Sequence, residues 1–370
     1  DVSFTGKGES PLATSPTFVN ATCPACGGPA RRETDTIDTF IDSSWYLFRY
    51  ISPDERSAPF VTADVNRWLP VDQYIGGIEH ACGHLIFVRF MTKALHDMGL
   101  VAFDEPIERL FTQGMIYKDG LKMSKSKGNV VAPDELIARY GADTERLYTL
   151  FIGPPDRDAE WSDAAVEGAH RFLNRVWDLV SDWPFTTDAA GESAAKLSGE
   201  LPEAVDALHR KTHQTIRKVT ADFERFHYNT AVASIMELTN AVRGFTEGLD
   251  EPADVERAAV REAVYHIVVL LAPMVPHFSE ELWERAGGTE SIFRAAWPSY
   301  DEDAAREDVV TIAVQVNGRL RGEIEAPRGA DENTVVKLAR ENERVAKHLE
   351  GVEVRRVIHV PDRLLNFVVG

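Results

Sequence analysis

From Ser162 onward the apolar residues of this chain fall at helical spacing, and that periodicity constrains the fold more than any other feature. Val166, Ala169, Leu173, Val176, Trp177 and Val180 share one helix face. Further helical stretches run over about 202–222, 228–247, 254–272 and 276–286. Ser162 and Asp163 suit the N-cap of the first, and Pro276 suits the opening turn of the last. Amphipathic helices in series must bury their apolar stripes against one another, so the spacing predicts a bundle of four or five members.

The flanks read differently. Residues 1–36 are rich in Gly, Pro, Ser and Thr and read as loop. Over 37–160 short apolar segments alternate with helical ones. Gln73 to Gly77 reads as a strand entering a glycine turn, Leu85, Val88, Met91 and Leu95 carry helical spacing, and Leu110 to Tyr117 reads as one further strand. This alternation fits an α/β domain with a parallel sheet. The bundle occupies 161–297, with a polar loop at 184–200, and an acidic linker follows at 298–308. In 309–370, Val309 to Val316 and Leu320 to Ile324 flank Asn317-Gly318, a strong hairpin signal. A helix at about 332–348 and strands Val352 to Val360 and Leu364 to Val369 complete a small α+β domain.

Composition excludes several classes. With 44% hydrophobic and 27% charged residues the chain is an ordinary globular one. No apolar run approaches the roughly 18 residues that span a bilayer, so no membrane partner is expected. The chain opens on Asp1 with no basic and apolar leader behind it, so no targeting peptide is expected. Three cysteines make no disulfide framework and suit a reducing, cytoplasmic compartment. The net charge is −19, and 29 Arg against 11 Lys gives an acidic, lysine-poor composition of the kind that keeps halophile proteins soluble. Such a chain is a poor default binder of phosphate backbones, so any nucleic-acid contacts are expected as local basic patches.

Against that background Lys122-Met123-Ser124-Lys125-Ser126-Lys127-Gly128-Asn129 stands out, holding three of the eleven lysines within six residues. A lysine cluster is ordinarily a solvated surface loop. Here small hydroxyl residues and a glycine accompany it, as a loop that handles phosphates requires. Residues 122–126 spell the KMSKS signature, whose chance occurrence in a chain of this length is on the order of one in ten thousand. A second segment, Tyr74-Ile75-Gly76-Gly77-Ile78-Glu79-His80 with His84 beyond it, places glycines between a strand end and a helix start, where a nucleotide can approach the backbone. A carboxylate there can accept both ribose hydroxyls. His80 and His84 share a helix face, but no third ligand accompanies them, which disfavours a metal. Cys23-Pro24-Ala25-Cys26 is half of a zinc knuckle. A tetrahedral site needs four ligands, so Cys23 and Cys26 would hold Zn²⁺ only with a second, upstream pair.

Together with Phe40-Ile41-Asp42-Ser43-Ser44-Trp45-Tyr46, Tyr140-Gly141-Ala142-Asp143-Thr144, Gly168 to Trp177 and Val314 to Gly318, these segments closely resemble the bacterial-type leucyl-tRNA synthetase family of class I aminoacyl-tRNA synthetases. The resemblance spans essentially all 370 residues. It implies a partial Rossmann-like α/β catalytic domain, an α-helical anticodon-binding bundle and a small α+β tRNA-binding domain. It implies ATP-dependent formation of leucyl-adenylate and transfer to leucine tRNA, with ATP, Mg²⁺ as its counter-ion, leucine and the tRNA as partners. By the same resemblance Lys122 and Lys125 are the catalytic loop lysines, with Met123, Ser124 and Ser126 on the ATP side. Gly77, Glu79 and His84 belong to the adenosine site, and Phe40, Ser43, Tyr46, Tyr74 and His80 line the leucine pocket. Arg210, Lys211, Arg217 and Lys218 on the bundle, and Arg319, Arg321, Arg355 and Arg356 in the last domain, are the tRNA contacts.

The departures carry information too. The family's His-Ile-Gly-His element and its editing domain are absent, and no insertion precedes the lysine loop. The alternative function is accordingly a non-catalytic tRNA-binding fragment, or a subunit of a split synthetase that needs an N-terminal partner. Where relatives carry two larger apolar residues, this chain has Cys82-Gly83, and an early-helix glycine costs roughly 1 kcal/mol against alanine.

Overall fold

The computed structural model describes residues 10–124, 127–182, 197, 199–249, 251–306 and 309–370. Most of the expected loop at 184–200 lies outside them, as do Lys125 and Ser126 of the lysine loop. The chain divides into two units. One comprises Asp1–Met115 with Asp156–Asp158, the other Ile116–Pro155 with Ala159–Gly370.

The first unit begins with helix α1 (Pro16–Val19) and the hairpin β1 (Asn20–Thr22) and β2 (Pro29–Arg31). Short helices α2 (Phe40–Ser43), α3 (Tyr46–Ile51) and α4 (Thr62–Trp68) follow. Strand β3 (Tyr74–Gly77) leads through a 3₁₀ turn, Ile78–Cys82, into α5 (His84–Asp97), and β4 (Leu110–Gln113) returns parallel to β3 in the register Tyr74↔Leu110 to Gly77↔Gln113. This is the expected strand–helix–strand alternation. Its core gathers Phe48, Phe60, Val65, Leu69, Leu95 and Val101.

One expectation is corrected here. Leu110 to Tyr117 is two strands rather than one, because β4 stops at Gln113 and a separate strand, β5 (Ile116–Lys118), begins three residues later in another sheet. Gly114 sits between them, where a Cβ would lie 2.1 Å from the backbone carbonyl of Arg157. Asp158 then accepts the Met115 N–H at 2.7 Å. The break is imposed by a stretch of chain more than forty residues away in sequence, which no local pattern reveals.

In the second unit β5 pairs antiparallel with β6 (Leu121–Lys122) and parallel with β7 (Ala159–Glu160). Helices α6 (Pro133–Tyr140) and α7 (Ala142–Phe151) lead to the bundle α8 (Asp163–Asp182), α9 (Glu203–Glu224), α10 (Tyr228–Thr246), α11 (Asp254–Leu271) and α12 (Pro276–Arg285). These boundaries follow the helical periodicity closely, and Pro276 takes the opening turn. One core runs through all of them and includes Leu147 and Tyr148 of α7. The segment after the lysine loop is thus packed onto the bundle. Arg146 donates to the carbonyls of Pro273 and Met274 at the end of α11, while Asp143 accepts the Phe278 N–H at the start of α12. Each charge meets the helix end whose dipole favours it.

The last domain has strands β8 (Val309–Val316), β9 (Arg319–Pro327), β10 (Val354–Val360) and β11 (Leu364–Val369) in the order β10-β11-β8-β9, with β11 parallel to β8 and the other pairs antiparallel. Asn317 and Gly318 both take positive φ, 49° and 75°, as a two-residue hairpin turn demands. The expected helix at 332–348 is broken into α13 (Glu332–Glu341) and α14 (Glu343–Ala346). Asn342 makes the break: its backbone is extended and its side chain caps the N–H groups of Arg344 and Val345. No helix among the described residues is long and apolar enough to cross a membrane.

Candidate functional site

The first unit brings together residues from α2, α3, β3 and α5. His84 opens α5 and is buried. Ser43 Oγ lies 3.1 Å from its Nδ1, and Tyr74 Oη lies 3.0 Å from its Nε2. Tyr74 Oη in turn meets Tyr46 Oη at 2.8 Å. Four side chains spread over forty residues thus form one hydrogen-bonded chain. Burial, with the His80 imidazole beside it adding a smaller effect, holds His84 below the ordinary histidine range, which favours a neutral imidazole. Burial and the Tyr74 hydroxyl keep the Tyr46 phenol protonated. The chain of groups is therefore uncharged and suits the wall of an apolar pocket. Sequence placed His84 with the nucleotide; the structure places its ring among Phe40, Tyr46 and Tyr74, at 6.2, 6.0 and 6.4 Å.

Phe40 explains Gly83. A Cβ at position 83 would stand 2.9 Å from Phe40 Cε2, so the glycine lets this ring close over the start of α5. Phe40 also packs on Phe87, with ring centroids 5.9 Å apart. On the other side of the turn, a Cβ at Gly77 would lie 2.4 Å from a carboxylate oxygen of Glu79. The bare backbone at Gly77 is what lets this exposed carboxylate fold back over the end of β3. His80 is exposed beside it, its ring edge-on to His84 at 6.0 Å.

The lysine loop belongs to the second unit. Lys122 ends β6 and is exposed. Asn129, which sequence quoted but gave no role, holds the loop: its Oδ1 accepts the Ser124 N–H at 2.9 Å, and its Nδ2 faces the carbonyls of Lys118, Leu121 and Lys122 at 3.4 to 3.5 Å. Met123 and Ser124 are half-buried. Lys125 and Ser126 lie outside the described residues.

The expected tRNA contacts are distributed. On α9, Arg210 pairs with Asp206, Lys211 with Glu237 at 2.6 Å, and Lys218 with the buried Asp222, while Arg217 is exposed. Three of these four cations thus already have carboxylate partners in the bundle. Arg319 and Arg321 lie on β9, and Arg355 and Arg356 on β10, the two edge strands of the sheet. Arg321 and Arg344 line a groove of about 760 Å³ with Asn342, Glu323 and Glu343, so its charges balance, and the Arg321 Nε is buried without a hydrogen-bond partner.

Cys23 and Cys26 occupy the turn between β1 and β2, where Cys23 N–H donates to the Gly28 carbonyl at 2.8 Å. The N–H groups of Cys26 and Ala25 lower the Cys23 thiol from its usual range. That is the local shape of a metal knuckle, but two thiols are half a tetrahedral set. Among the described residues, the one group of three metal-ligating side chains is His209, His213 and Glu262 in the bundle, and none of these supplies the knuckle's missing ligands. The residues present do not complete a zinc site.

A nucleotide-type glycine turn in one unit, a lysine loop in the other and a helical bundle define a class. Residues 21–162 match the family model of class I tRNA synthetases (I, L, M and V), and residues 206–338 match that of the anticodon-binding domain of tRNA ligase. These matches make the chain similar to the class I tRNA synthetases in one region and to their anticodon-binding domain in another.

Over its whole length it is similar to the leucine–tRNA ligases. It is 50% identical over 371 residues to that of Thermosipho melanesiensis and 50% identical over 371 residues to that of Citrifermentans bemidjiense, covering 100% of this chain and 44% of each relative. The crystal structure of the ternary complex of Agrobacterium radiobacter K84 agnB2 LeuRS with tRNA and LeuAMS superposes with a TM-score of 0.78 at 36% identity, over 97% of this chain and 45% of that one. The chain thus spans less than half the length of these relatives, matching their C-terminal part.

Proposed function

We propose that this chain forms part of a leucine–tRNA ligase, contributing one wall of the leucine pocket, the ribose-binding turn, the phosphate-handling loop and the tRNA-binding domains. The observation that carries the proposal is the uncharged Ser43–His84–Tyr74–Tyr46 chain standing beside Gly77 and Glu79. An apolar amino-acid side chain needs a neutral wall with its polar atoms already satisfied, because an unpaired buried polar group is costly. Phe40 and Phe87 supply apolar surface at the same place. Glu79, exposed at the strand end, is suited to accept the two ribose hydroxyls of a nucleotide.

In the proposed reaction a leucine carboxylate oxygen attacks the α-phosphorus of ATP, and pyrophosphate leaves. The protein positions these groups and neutralises charge that grows on the leaving oxygens. Lys122, and Lys125 of the same loop, serve the second task, and Asn129 fixes the base of their loop. Mg²⁺ enters with the nucleotide as its counter-ion. A hydroxyl of the terminal ribose of leucine tRNA then attacks the leucyl carbonyl, forming an ester as the acyl–phosphate bond breaks and AMP leaves with release of the hydroxyl proton. Arg321 and Arg344 in their groove, and Arg217 on the bundle, are suited to phosphate contacts that read shape and backbone.

A partner for the first unit is part of the proposal. Among the described residues its β3–β4 sheet has two strands, and Ile75, Ile78, Ile86 and Phe90 are exposed, Phe90 at 72%. Exposed apolar side chains of this kind support a covering polypeptide, and an N-terminal portion carrying the rest of the catalytic domain is the occupant we propose. The test is leucine-dependent pyrophosphate exchange. The isolated chain is expected to give none, and exchange is expected once the N-terminal portion is supplied. Exchange that never appears in the completed protein, with tRNA binding retained, would leave the non-catalytic reading in its place.

A further inference from the structure

The bundle holds a cluster of titratable groups that the proposed chemistry does not use. His209 and His213 stand one turn apart on α9, and Glu262 faces both from α11. His209 Nδ1 lies 2.6 Å from one Glu262 oxygen, and His213 Nε2 lies 3.4 Å from the other. Their side chains are only 10 to 12% exposed. One turn further along α11, the buried His266 places its ring 6.5 Å from that of His213, and its Nδ1 has no hydrogen-bond partner. Residues 297–305 pass over the same part of α9. Trp297 Nε1 donates to Thr220 Oγ1 at 2.9 Å, the Asp301 N–H donates to His213 Nδ1 at 3.0 Å, and Gln214 Nε2 donates to the Ala305 carbonyl at 3.3 Å. Ala305 is buried by this docking.

Two imidazoles and a carboxylate with ligand atoms within 4.8 Å of one another are a donor set that zinc accepts. The hydrogen bond from Asp301 decides against it. A neutral imidazole has one lone pair, and in His213 that lone pair is on Nδ1, where the Asp301 N–H uses it. The proton therefore sits on Nε2, which donates toward Glu262 and has no lone pair for a metal. Metal-bound histidines show the reverse arrangement, with the second nitrogen as donor. Two ligands remain, which is too few.

We propose that His209, Glu262 and His213 form a proton-operated clasp that fastens residues 300–305, the approach to the C-terminal α+β domain, onto the bundle. With His213 neutral, Nδ1 accepts the Asp301 N–H and the strap is held. A proton taken up from solvent lands on Nδ1, the one lone pair available. Two N–H donors then face each other and the strap bond is lost, while Glu262 keeps hold of the imidazolium through Nε2. The groups that face His213 are His209 on α9, Glu262 and His266 on α11, and Asp301 on the strap, and Asp206 on α9 acts on His209. Asp206 is paired with Arg210, and the Asp301 carboxylate is engaged by the N–H groups of Asp303 and Ala304 at 2.8 and 3.2 Å. Neither is placed to replace the lost bond. The bond to Glu262 holds His209 above the usual histidine range. Burial pushes Glu262 up, but its bonds to the two histidines outweigh this and leave it at about 2, so the anchor of the clasp stays charged throughout.

The experiment is hydrogen exchange by mass spectrometry on the full chain, each rate corrected for intrinsic exchange at its pH. As pH is lowered from about 8 to about 5.5, protection of the 298–306 peptide is expected to fall roughly tenfold more than that of α11 peptides, which follow the stability of the bundle. In His213→Asn, whose amide oxygen can accept the Asp301 N–H without titrating, this extra fall is expected to disappear. No extra fall in the wild type, or the same extra fall in the variant, overturns the clasp. If the variant does not fold, the wild-type profile decides alone. Zinc added to the Cys23→Ser, Cys26→Ser chain is expected to show no stoichiometric binding; such binding, abolished by Glu262→Gln, would mean that the cluster is a metal site.

Discussion

Gly83 shows how one residue's meaning depends on a distant neighbour. In sequence it is an unexplained helix weakener. In the structure it is the gap into which Phe40 fits, 43 positions away. Gly83→Ala in the completed enzyme is expected to displace Phe40 and raise KM for leucine about tenfold, as mild overpacking costs roughly 1–3 kcal/mol. The thermal midpoint of the chain should move little, because Phe40 is half-buried. An unchanged KM would remove Phe40 from the pocket. Lys125 poses the opposite case. Its role rests on residue type and motif, and Lys125→Ala is expected to lower kcat for adenylate formation far more than it weakens leucine binding. Equal losses in both would deny it a role confined to the transition state. The candidate residues were legible in sequence because their chemistry is unusual for this lysine-poor chain. Their partners were not, since Ser43–His84 and Tyr46–Tyr74 are contacts closed by the fold.

Helices carried their own signature. The bundle members lie within a residue or two of where apolar spacing put them, because most of them bury one apolar stripe, while α11 is buried all round in its second half. Two elements broke where local pattern is silent: the strand at Gly114, split by the backbone of Arg157, and the helix at Asn342, ended by a side chain that caps the next turn. The bundle also makes a prediction about pH. Burial lowers His266 from 6.5 to about 4, so the folded bundle refuses a proton that the unfolded chain accepts. Stability from this group is complete above about pH 6.5 and falls as pH drops toward about 4, by roughly 3 kcal/mol in all. His209 has the opposite sign: its raised value gives stability that is complete below about pH 6.5 and is lost on the alkaline side. Urea unfolding followed by bundle fluorescence should show the acid slope in the wild type and lose it in His266→Phe. An identical slope in the variant would assign the acid sensitivity elsewhere.

At the scale of the whole molecule, a net charge of −19 coexists with a proposed tRNA partner. The bundle's ion pairs suggest how. Three of the four α9 cations are already paired, which leaves Arg217 and the arginines on the edge strands of the last domain as the remaining candidate cations. Affinity for leucine tRNA is therefore expected to fall less steeply with salt than for a protein using all eight candidate cations; log–log slopes from filter binding, for wild type and Arg321→Ala, check this. Gly77 and Glu79 belong to one unit and the lysine loop to the other. The central claim is that both serve a single ATP. A crystal structure of the chain completed by its N-terminal portion, with leucine and a non-hydrolysable ATP analogue, tests this most directly. The account predicts the Glu79 carboxylate on the ribose hydroxyls at about 2.6–3.2 Å and the Lys122 and Lys125 ammonium groups on the phosphates of that same nucleotide. A nucleotide bound by Glu79 with the lysine loop turned away from its phosphates, or one bound elsewhere altogether, would contradict it.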